Sequence, residues 1–269
     1  MVNAIEWRPL RDRFGAEVDL DLAQPISADR ADELRRLFDE RQLLVFRDQE
    51  LSVRRQAEVA STFSEVVDAD QYISNTEDPR GNLLALFHND FAFHEYPLHG
   101  IGLWGEVVPP GCAGTWFLSG RNTYLDLSES DRSRLEGLNA RHAYRLGSSE
   151  NDFRFKEIPA GVFQAVHPLL YPNPRTGEPV ILYSPFFTHS IEGLTEAESQ
   201  EIFDFCETLL YSDPDLHLHK WQSRDFVIWD NVALQHAREA LDNRADAPTG
   251  RRLRRVTIGN TQAAQKHWD

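Results

Sequence analysis

Cysteine is nearly absent from this chain. Its 269 residues include only Cys112 and Cys206, which lie far apart with no metal-ligand spacing, so no disulfide framework is implied. Basic residues are scarce too: 28 Lys and Arg against 43 Asp and Glu leave a net charge of −15. A surface of that sign argues against general binding to nucleic acid or an anionic membrane, though it permits a local basic pocket. No run approaches the roughly 18 apolar residues of a membrane span. The opening MVNAIEWRPLRDRFGAEV has neither a signal-peptide apolar core nor a lipidation motif, so a reduced cytoplasmic location is expected. The sequence also lacks a low-complexity linker, an internal repeat and an abrupt change of composition. Residues 1–269 therefore read as one domain, a size that single all-β barrels commonly reach.

What is present has a clear order. IEWRPL and AEVDLD read as short strands around an Arg-Phe-Gly turn. Residues 28–41 place Ala31, Leu34, Leu37 and Phe38 at helical spacing behind Ser27 as N-cap. LLVFR (43–47) is a compact buried strand, and Ser52 opens a second helix running to about Phe63. From residue 83 the texture is mostly β. The expected strands are LLALFH, HGIGLWGEV, GTWFLS, ARHAYRL, FQAVHPLLY, PVILYS, LHLHKW, DFVIWD and LRRVTIG, with NPRTGEP as a hairpin turn. One helix, 196–211 behind Thr195, interrupts them. Many short strands with turns between them give a mainly β fold with flanking helices, and the jelly roll (double-stranded β-helix, cupin-like) is the commonest closed form of that kind. The polar stretch 66–82 reads as a loop, and its place before LLALFH makes it a candidate lid.

Asp90 is the residue that asks for an explanation. In LFHNDFAFHEYP it sits among Phe87, Phe91 and Phe93, and an unpaired buried carboxylate is costly. If LLALFH continues as a strand, His88 and Asp90 point to one side and present a nitrogen and an oxygen to one point. His236, in WDNVALQHA, is the candidate third ligand. Two histidines and one carboxylate leave adjacent positions open, which suits non-haem Fe(II). Taken alone, His-x-Asp is short enough to recur by chance, with His88 capping a strand and Asp90 accepting turn amides. Arg251 and Arg255, in RRLRRVTIGN, share one face of a strand, with Arg252 and Arg254 on the other. An arginine turned into a β core calls for an anion, whereas a solvated basic cluster is the plainer alternative.

Seven segments in this order resemble the taurine dioxygenase / dichlorophenoxyacetate dioxygenase (TauD/TfdA) family of Fe(II)- and 2-oxoglutarate-dependent oxygenases. They are FGAEVDLDL, LLVFRDQELS, FHNDFAF, PPGCAGT, the hairpin HPLLYPNPRTGEPVILYSPFFTHSIEGL, WDNVALQH and RRLRRVTIGN. The resemblance implies that His88, Asp90 and His236 bind Fe(II), and that Arg251 and Thr115 hold the distal carboxylate of 2-oxoglutarate. It also implies that Arg255 grips an anionic group of a small-molecule substrate, with Phe91, Phe93 and Phe187 lining the pocket. The expected reaction is oxidation of an unactivated C–H bond with O2, releasing succinate and CO2. The retained Asp90 speaks against a halogenase. Relatives are often dimers or tetramers, so a homo-oligomer of no fixed number is an expectation of the resemblance.

The chain also departs from the family. Gly114 stands where a Gly-Gly-Asp-Thr run has its aspartate, Val232 where an arginine follows Trp-Asp-Asn, and the segment between His236 and Arg251 is a few residues longer. The rival reading is a jelly-roll metalloprotein of another kind, a zinc hydrolase or a small-acid binding protein. It leaves the Arg251 and Thr115 anion pocket without a purpose, and a hydrolase would need a general base that the sequence does not identify. His217 and His219 share a strand face but have no third ligand nearby, so they read as surface or pocket-rim residues. Cys112 reads as a small loop filler, and His94 and His99 have no assigned role.

Overall fold

Ser27 starts the first helix. Its side chain accepts the Arg30 amide, and α1 (Ala28–Arg41) buries Leu34, Leu37 and Phe38 along one face. Gln42 ends it at φ 63°, and the chain turns directly into β3 (Leu43–Phe46). Before α1, β1 (Glu6–Pro9) and β2 (Ala16–Asp19) form an antiparallel pair. After β3, Ser52 caps α2 (Val53–Ala60) by the same side-chain bond, and β4 (Val66–Ser74) follows. The computed structural model describes residues 4–74, 86–144, 153–212, 215–239 and 250–260.

The later described chain runs through β5 (Gly100–Val107), β6 (Thr115–Ser119), the short helices α3 (Gly120–Leu125) and α4 (Glu129–Leu135), β7 (Asn139–Ala143) and β8 (Gln164–Pro168). Next come β9 (Leu170–Pro172) and β10 (Pro179–Ile181), a hairpin whose turn contains Gly177 at φ 75°, and β11 (Thr188–Ile191). Helix α5 (Glu196–Tyr211) opens with a capping box between Thr195 and Glu198. It leads to β12 (His217–His219), β13 (Phe226–Asp230), β14 (Leu234–Arg238) and β15 (Arg252–Ile258).

Seven strands form the large sheet, in the order β1-β2-β3-β13-β5-β15-β4. Alternation along each strand sorts its side chains between two cores. Leu44, Phe46, Phe226, Ile228, Val256 and Ile258 pack outward on Leu34, Phe38 and Val59 of the two N-terminal helices. Leu43, Val45, Ile101, Leu103, Val227 and Trp229 pack inward on Phe117 and Leu234 of β6 and β14. Those two strands belong to the second layer, made of the sheets β12-β6-β14, β11-β7-β8 and β10-β9. Helix α5 covers that layer, burying Phe203, Cys206 and Leu210 against Leu118, Ile181 and Tyr183. Burying each large apolar side chain contributes about 1.5–3 kcal/mol. This is the expected jelly roll, mainly β with helices outside.

Several elements differ from the sequence reading. Residues 66–74 form an edge strand bonded to β15 rather than a loop. All but two of its residues are half-buried, so no apolar alternation marks it. The rest of the candidate lid, 75–82, lies outside the described residues, as do 83–85 of LLALFH. What is described of that run, 86–88, contributes one isolated bridge, His88 to His236. FQAVHPLLY is two strands in different sheets, because Leu169 turns to bond Leu138 and Leu182 instead. Strands β11 and β14 and helices α3 and α4 are additional to those expected.

Candidate active site

His236 lies on β14, opposite Phe117 of β6. The bridge to His88 is reciprocal, His88 N–H to the His236 carbonyl at 3.1 Å and His236 N–H to the His88 carbonyl at 2.9 Å. It sets the two rings side by side, with centroids 4.3 Å apart. Asp90 joins them by a turn and not by strand periodicity, which corrects the expected geometry. Two asparagines hold this turn. The Asn89 side-chain amide donates to the carbonyls of Asn231 at 2.7 Å, Leu234 at 3.2 Å and Val232 at 3.3 Å. Asn231 accepts the Asp90 N–H at 2.9 Å and donates to the carbonyls of Asp90 at 2.8 Å and Leu98 at 3.0 Å. Phe91 follows at φ 62°, a left-handed conformation that a bulky side chain rarely adopts.

Ligand atoms of His88, Asp90 and His236 lie within 4.8 Å of one another, the one such group of three among the described residues. Nδ1 of His88 lies 2.7 Å from the Leu86 carbonyl, which can only accept, so this nitrogen donates. Nε2 is then the ring nitrogen turned toward Asp90 Oδ1, 3.2 Å away. Positive charge between that nitrogen and the carboxylate, a proton or a metal ion, satisfies both. Burial, then the neighbouring His88, pushes His236 down to about 3, so its ring is neutral. Burial alone would raise Asp90, but the Arg255 guanidinium and then His88 outweigh it and hold the carboxyl well below its usual range. Two imidazole nitrogens and an ionised carboxylate fit a dication, and this N2O donor set suits ferrous iron.

Beside the three ligands is a cavity of about 200 Å³ that also touches Thr115, Arg238, Arg251 and Arg255. Arg251 is 5% exposed, and its hydrogen bond among the described residues goes to the neutral carbonyl of Ala113. Burial lowers its pKa, the sign of a cation short of counter-charge. The Thr115 hydroxyl accepts the Trp221 indole N–H at 3.0 Å. A Cβ at Gly114 would lie 2.6 Å from the His219 carbonyl, so this backbone admits no side chain there. A carboxylate reaches the same loop from Glu239, bonded to the Gly114 N–H at 2.7 Å.

A larger cavity of about 660 Å³ shares Asp90 and Arg255 with the first. Its apolar wall includes Phe91, Phe93, Leu98, Tyr144 and Phe187. Phe93 sits 5.6 Å from Phe91 and 4.9 Å from Phe187, centroid to centroid. Arg255 donates to Asp90 Oδ2 at 2.9 Å, and its buried Nε has no hydrogen-bond partner among the described residues. Arg252 and Arg254 face away, over Tyr72 and Trp104 respectively, so the arginine alternation is as expected.

The structure thus gathers the residues expected to bind metal, co-substrate and substrate around two adjoining cavities. His217 and His219 are a correction. They face inward and not to the surface: His219 is 1% exposed and lies 3.1 Å from Asp225, and no third ligand joins them among the described residues. His94 and His99 line neither cavity. His94 Nδ1 accepts the Tyr96 N–H, and His99 bonds Ser64. Sequence reasoning missed Asn89, Arg238 and Trp221. Asn231 was visible only as part of WDN.

The profile of the family described as "Taurine catabolism dioxygenase TauD, TfdA family" matches residues 6–257. Among relatives, the alpha-ketoglutarate-dependent 2,4-dichlorophenoxyacetate dioxygenase of Cupriavidus pinatubonensis is 28% identical over 93% of this chain and 96% of its own. The alpha-ketoglutarate-dependent sulfate ester dioxygenase of Pseudomonas putida is 26% identical over 94% and 89%. The crystal structure of a taurine dioxygenase from Burkholderia xenovorans superposes with a TM-score of 0.79 at 24% identity, covering 96% of this chain and 90% of that one. That last likeness is one of fold.

Proposed function

The chain belongs to the TauD/TfdA dioxygenase family, and on that premise we propose how its own residues divide the work. It is an Fe(II)- and 2-oxoglutarate-dependent dioxygenase. His88, Asp90 and His236 hold the iron. Arg251 and Thr115 hold the distal carboxylate of 2-oxoglutarate, and Arg255 with Phe91, Phe93 and Phe187 holds a small anionic substrate. When bound, iron, 2-oxoglutarate and dioxygen supply oxidative decarboxylation to succinate and CO2 together with oxidation of an unactivated C–H bond.

The protein's part is to bind, orient and keep dry. Arg251 brings to the inner cavity a buried charge with no carboxylate partner among the described residues, and a carboxylate of the co-substrate supplies one. Arg255 spends one nitrogen on Asp90 and keeps Nε–H for an acceptor in the outer cavity. It therefore touches a metal ligand and the substrate space together. The phenylalanine wall turns an apolar body toward the iron side and excludes water, which protects a reactive site from side reactions. A compact apolar body carrying one acidic group fits this lining. Two related dioxygenases are named for 2,4-dichlorophenoxyacetate and for sulfate esters, and an acidic group on the substrate of this chain is in line with those names. Residues 1–269 act as one domain, and the free, buried Cys112 and Cys206 accord with the reducing cytoplasm. No helix among the described residues is long and apolar enough to cross a membrane.

The observation that carries this reading is the convergence of His88, Asp90 and His236 where the two cavities meet. Anaerobic titration of the apo-protein with Fe(II) and then 2-oxoglutarate tests it through the weak visible charge-transfer band of the chelate. The band is expected in the parent protein, absent in His88→Ala, and shifted to much higher 2-oxoglutarate in Arg251→Ala. Tight zinc binding with no band would overturn the assignment.

A further inference from the structure

We infer that Trp221 is a positioning residue for the co-substrate, its indole N–H orienting the Thr115 hydroxyl so that the hydroxyl proton is offered to 2-oxoglutarate. This rests on the reading of Thr115 and Arg251 as the anchor of the distal carboxylate.

A threonine hydroxyl has one proton and two lone pairs, and it rotates to suit its surroundings. Facing an anion, only the proton is useful, because a lone pair there repels. An indole N–H is a donor and nothing else. Trp221 Nε1 lies 3.0 Å from Thr115 Oγ1, and both residues are 7% exposed, so solvent barely competes for the bond. One lone pair is thereby occupied and the proton is directed elsewhere. The hydroxyl makes no other hydrogen bond among the described residues, and Thr115 lines the same inner cavity as Arg251. Among the described residues, a buried proton without an acceptor beside a buried cation without a carboxylate partner describes half of a carboxylate site.

The indole is held on both sides. His219, two residues before it, pairs with Thr115 across β12 and β6, and its ring meets Trp221 edge-on at 4.7 Å and 84°. Gln222, the residue after it, donates its backbone N–H to Asp225 Oδ2 at 2.8 Å. The same carboxylate oxygen lies 3.1 Å from His219 Nε2 and 2.6 Å from Arg47 Nη1. Asp225 is fully buried, so one fixed carboxylate lies against His219 before Trp221 and bonds the backbone just after it. The indole is confined to the orientation that reaches Thr115.

The test is calorimetric binding of 2-oxoglutarate to the Mn(II)-loaded protein without oxygen, in Trp221→Phe, Thr115→Val, the double variant and Arg251→Met. Trp221→Phe is expected to weaken binding about five- to tenfold, the worth of one ordinary hydrogen bond. The double variant is expected to bind no worse than Thr115→Val alone. Normal binding by Trp221→Phe, with Arg251→Met impaired, overturns the inference and leaves the anchor standing. So does a Trp221→Phe loss that persists in full on the Thr115→Val background, since the indole would then act by packing. Normal binding by both Thr115→Val and Arg251→Met overturns the anchor itself. If Trp221→Phe folds poorly, site-specific benzothienylalanine at 221 keeps the shape and removes only the donor, and the same outcomes apply.

Discussion

Asn231→Asp is nearly isosteric, so it separates hydrogen-bond polarity from shape in the turn that carries Asp90. The native amide makes three bonds: it accepts from the Asp90 N–H and donates to the carbonyls of Asp90 and Leu98, at 2.9, 2.8 and 3.0 Å. Aspartate keeps the first and converts the other two into oxygen–oxygen contacts. Leaving a buried carbonyl without its donor costs about 1–3 kcal/mol, so two such losses amount to about 2–6 kcal/mol. A new charge at a position with no exposure, beside the ionised Asp90, adds to that. Domains are stable by only about 5–15 kcal/mol, so the loss is readily measured. Asn231→Ala loses all three bonds but adds no repulsion and leaves room for water, so it is expected to be the milder change. Urea unfolding of the metal-free protein and Mn(II) calorimetry check both variants. The expected order of stability is parent, alanine, aspartate, with metal affinity of the folded protein down about 10–100-fold, as for other residues that orient ligands. Parent-like metal affinity in a destabilised Asn231→Asp would show that the asparagine supports the fold and not the ligand geometry. A stable Asn231→Asp would refute the reasoning altogether.

Other outcomes follow from particular sites. His142 is wholly buried, and burial, then His167, pushes it down to about 3, against about 6.5 in an unfolded chain. The unfolded chain takes up the proton first. This histidine's contribution is therefore complete above pH 6.5 and lost as pH falls toward 3, with roughly 2 kcal/mol gone by pH 5; His142→Gln should flatten the pH dependence of urea unfolding over that range. Gly114→Ala places a methyl 2.6 Å from the His219 carbonyl and is expected to cost about 1–3 kcal/mol, read as a lower thermal midpoint with weaker 2-oxoglutarate binding. Phe93→Ala empties part of the wall against Phe91 and Phe187, at about 3–5 kcal/mol. Succinate released per substrate oxidised is expected to rise as water gains entry, and an unchanged ratio would count against the wall's sealing role.

Where local chemistry decides an element, the sequence is readable. The Ser27 and Thr195 caps set helices at 28–41 and 196–211 as expected, and the Pro/Gly turn of 173–179 sets its hairpin. Strand β4 was opaque because an edge strand with half-buried residues shows no alternation, and its partner β15 lies far away in sequence. The metal ligands were legible as residue types in an order, but not in the geometry that unites them. His88 and His236 are joined by a backbone bridge across 148 positions (236 − 88), and Asp90 by asparagine amides. Trp221 gave no signal, because a tryptophan in a β-rich chain is usually core, and its N–H acquires a role only when Thr115 comes within 3.0 Å.

Phe91 carries a consequence for how this protein can change. Its φ of 62° suits glycine far better than phenylalanine, and strain of this kind amounts to about 1–3 kcal/mol. Its ring nevertheless forms part of the substrate wall directly after the ligand Asp90. Relief of strain and retention of the wall pull in opposite directions at this one position. A Phe91→Gly replacement recovers backbone comfort, gives up ring burial and widens the cavity. Selection for robustness alone would erode the pocket here first, and selection for a bulkier substrate would meet its least resistance at the same residue.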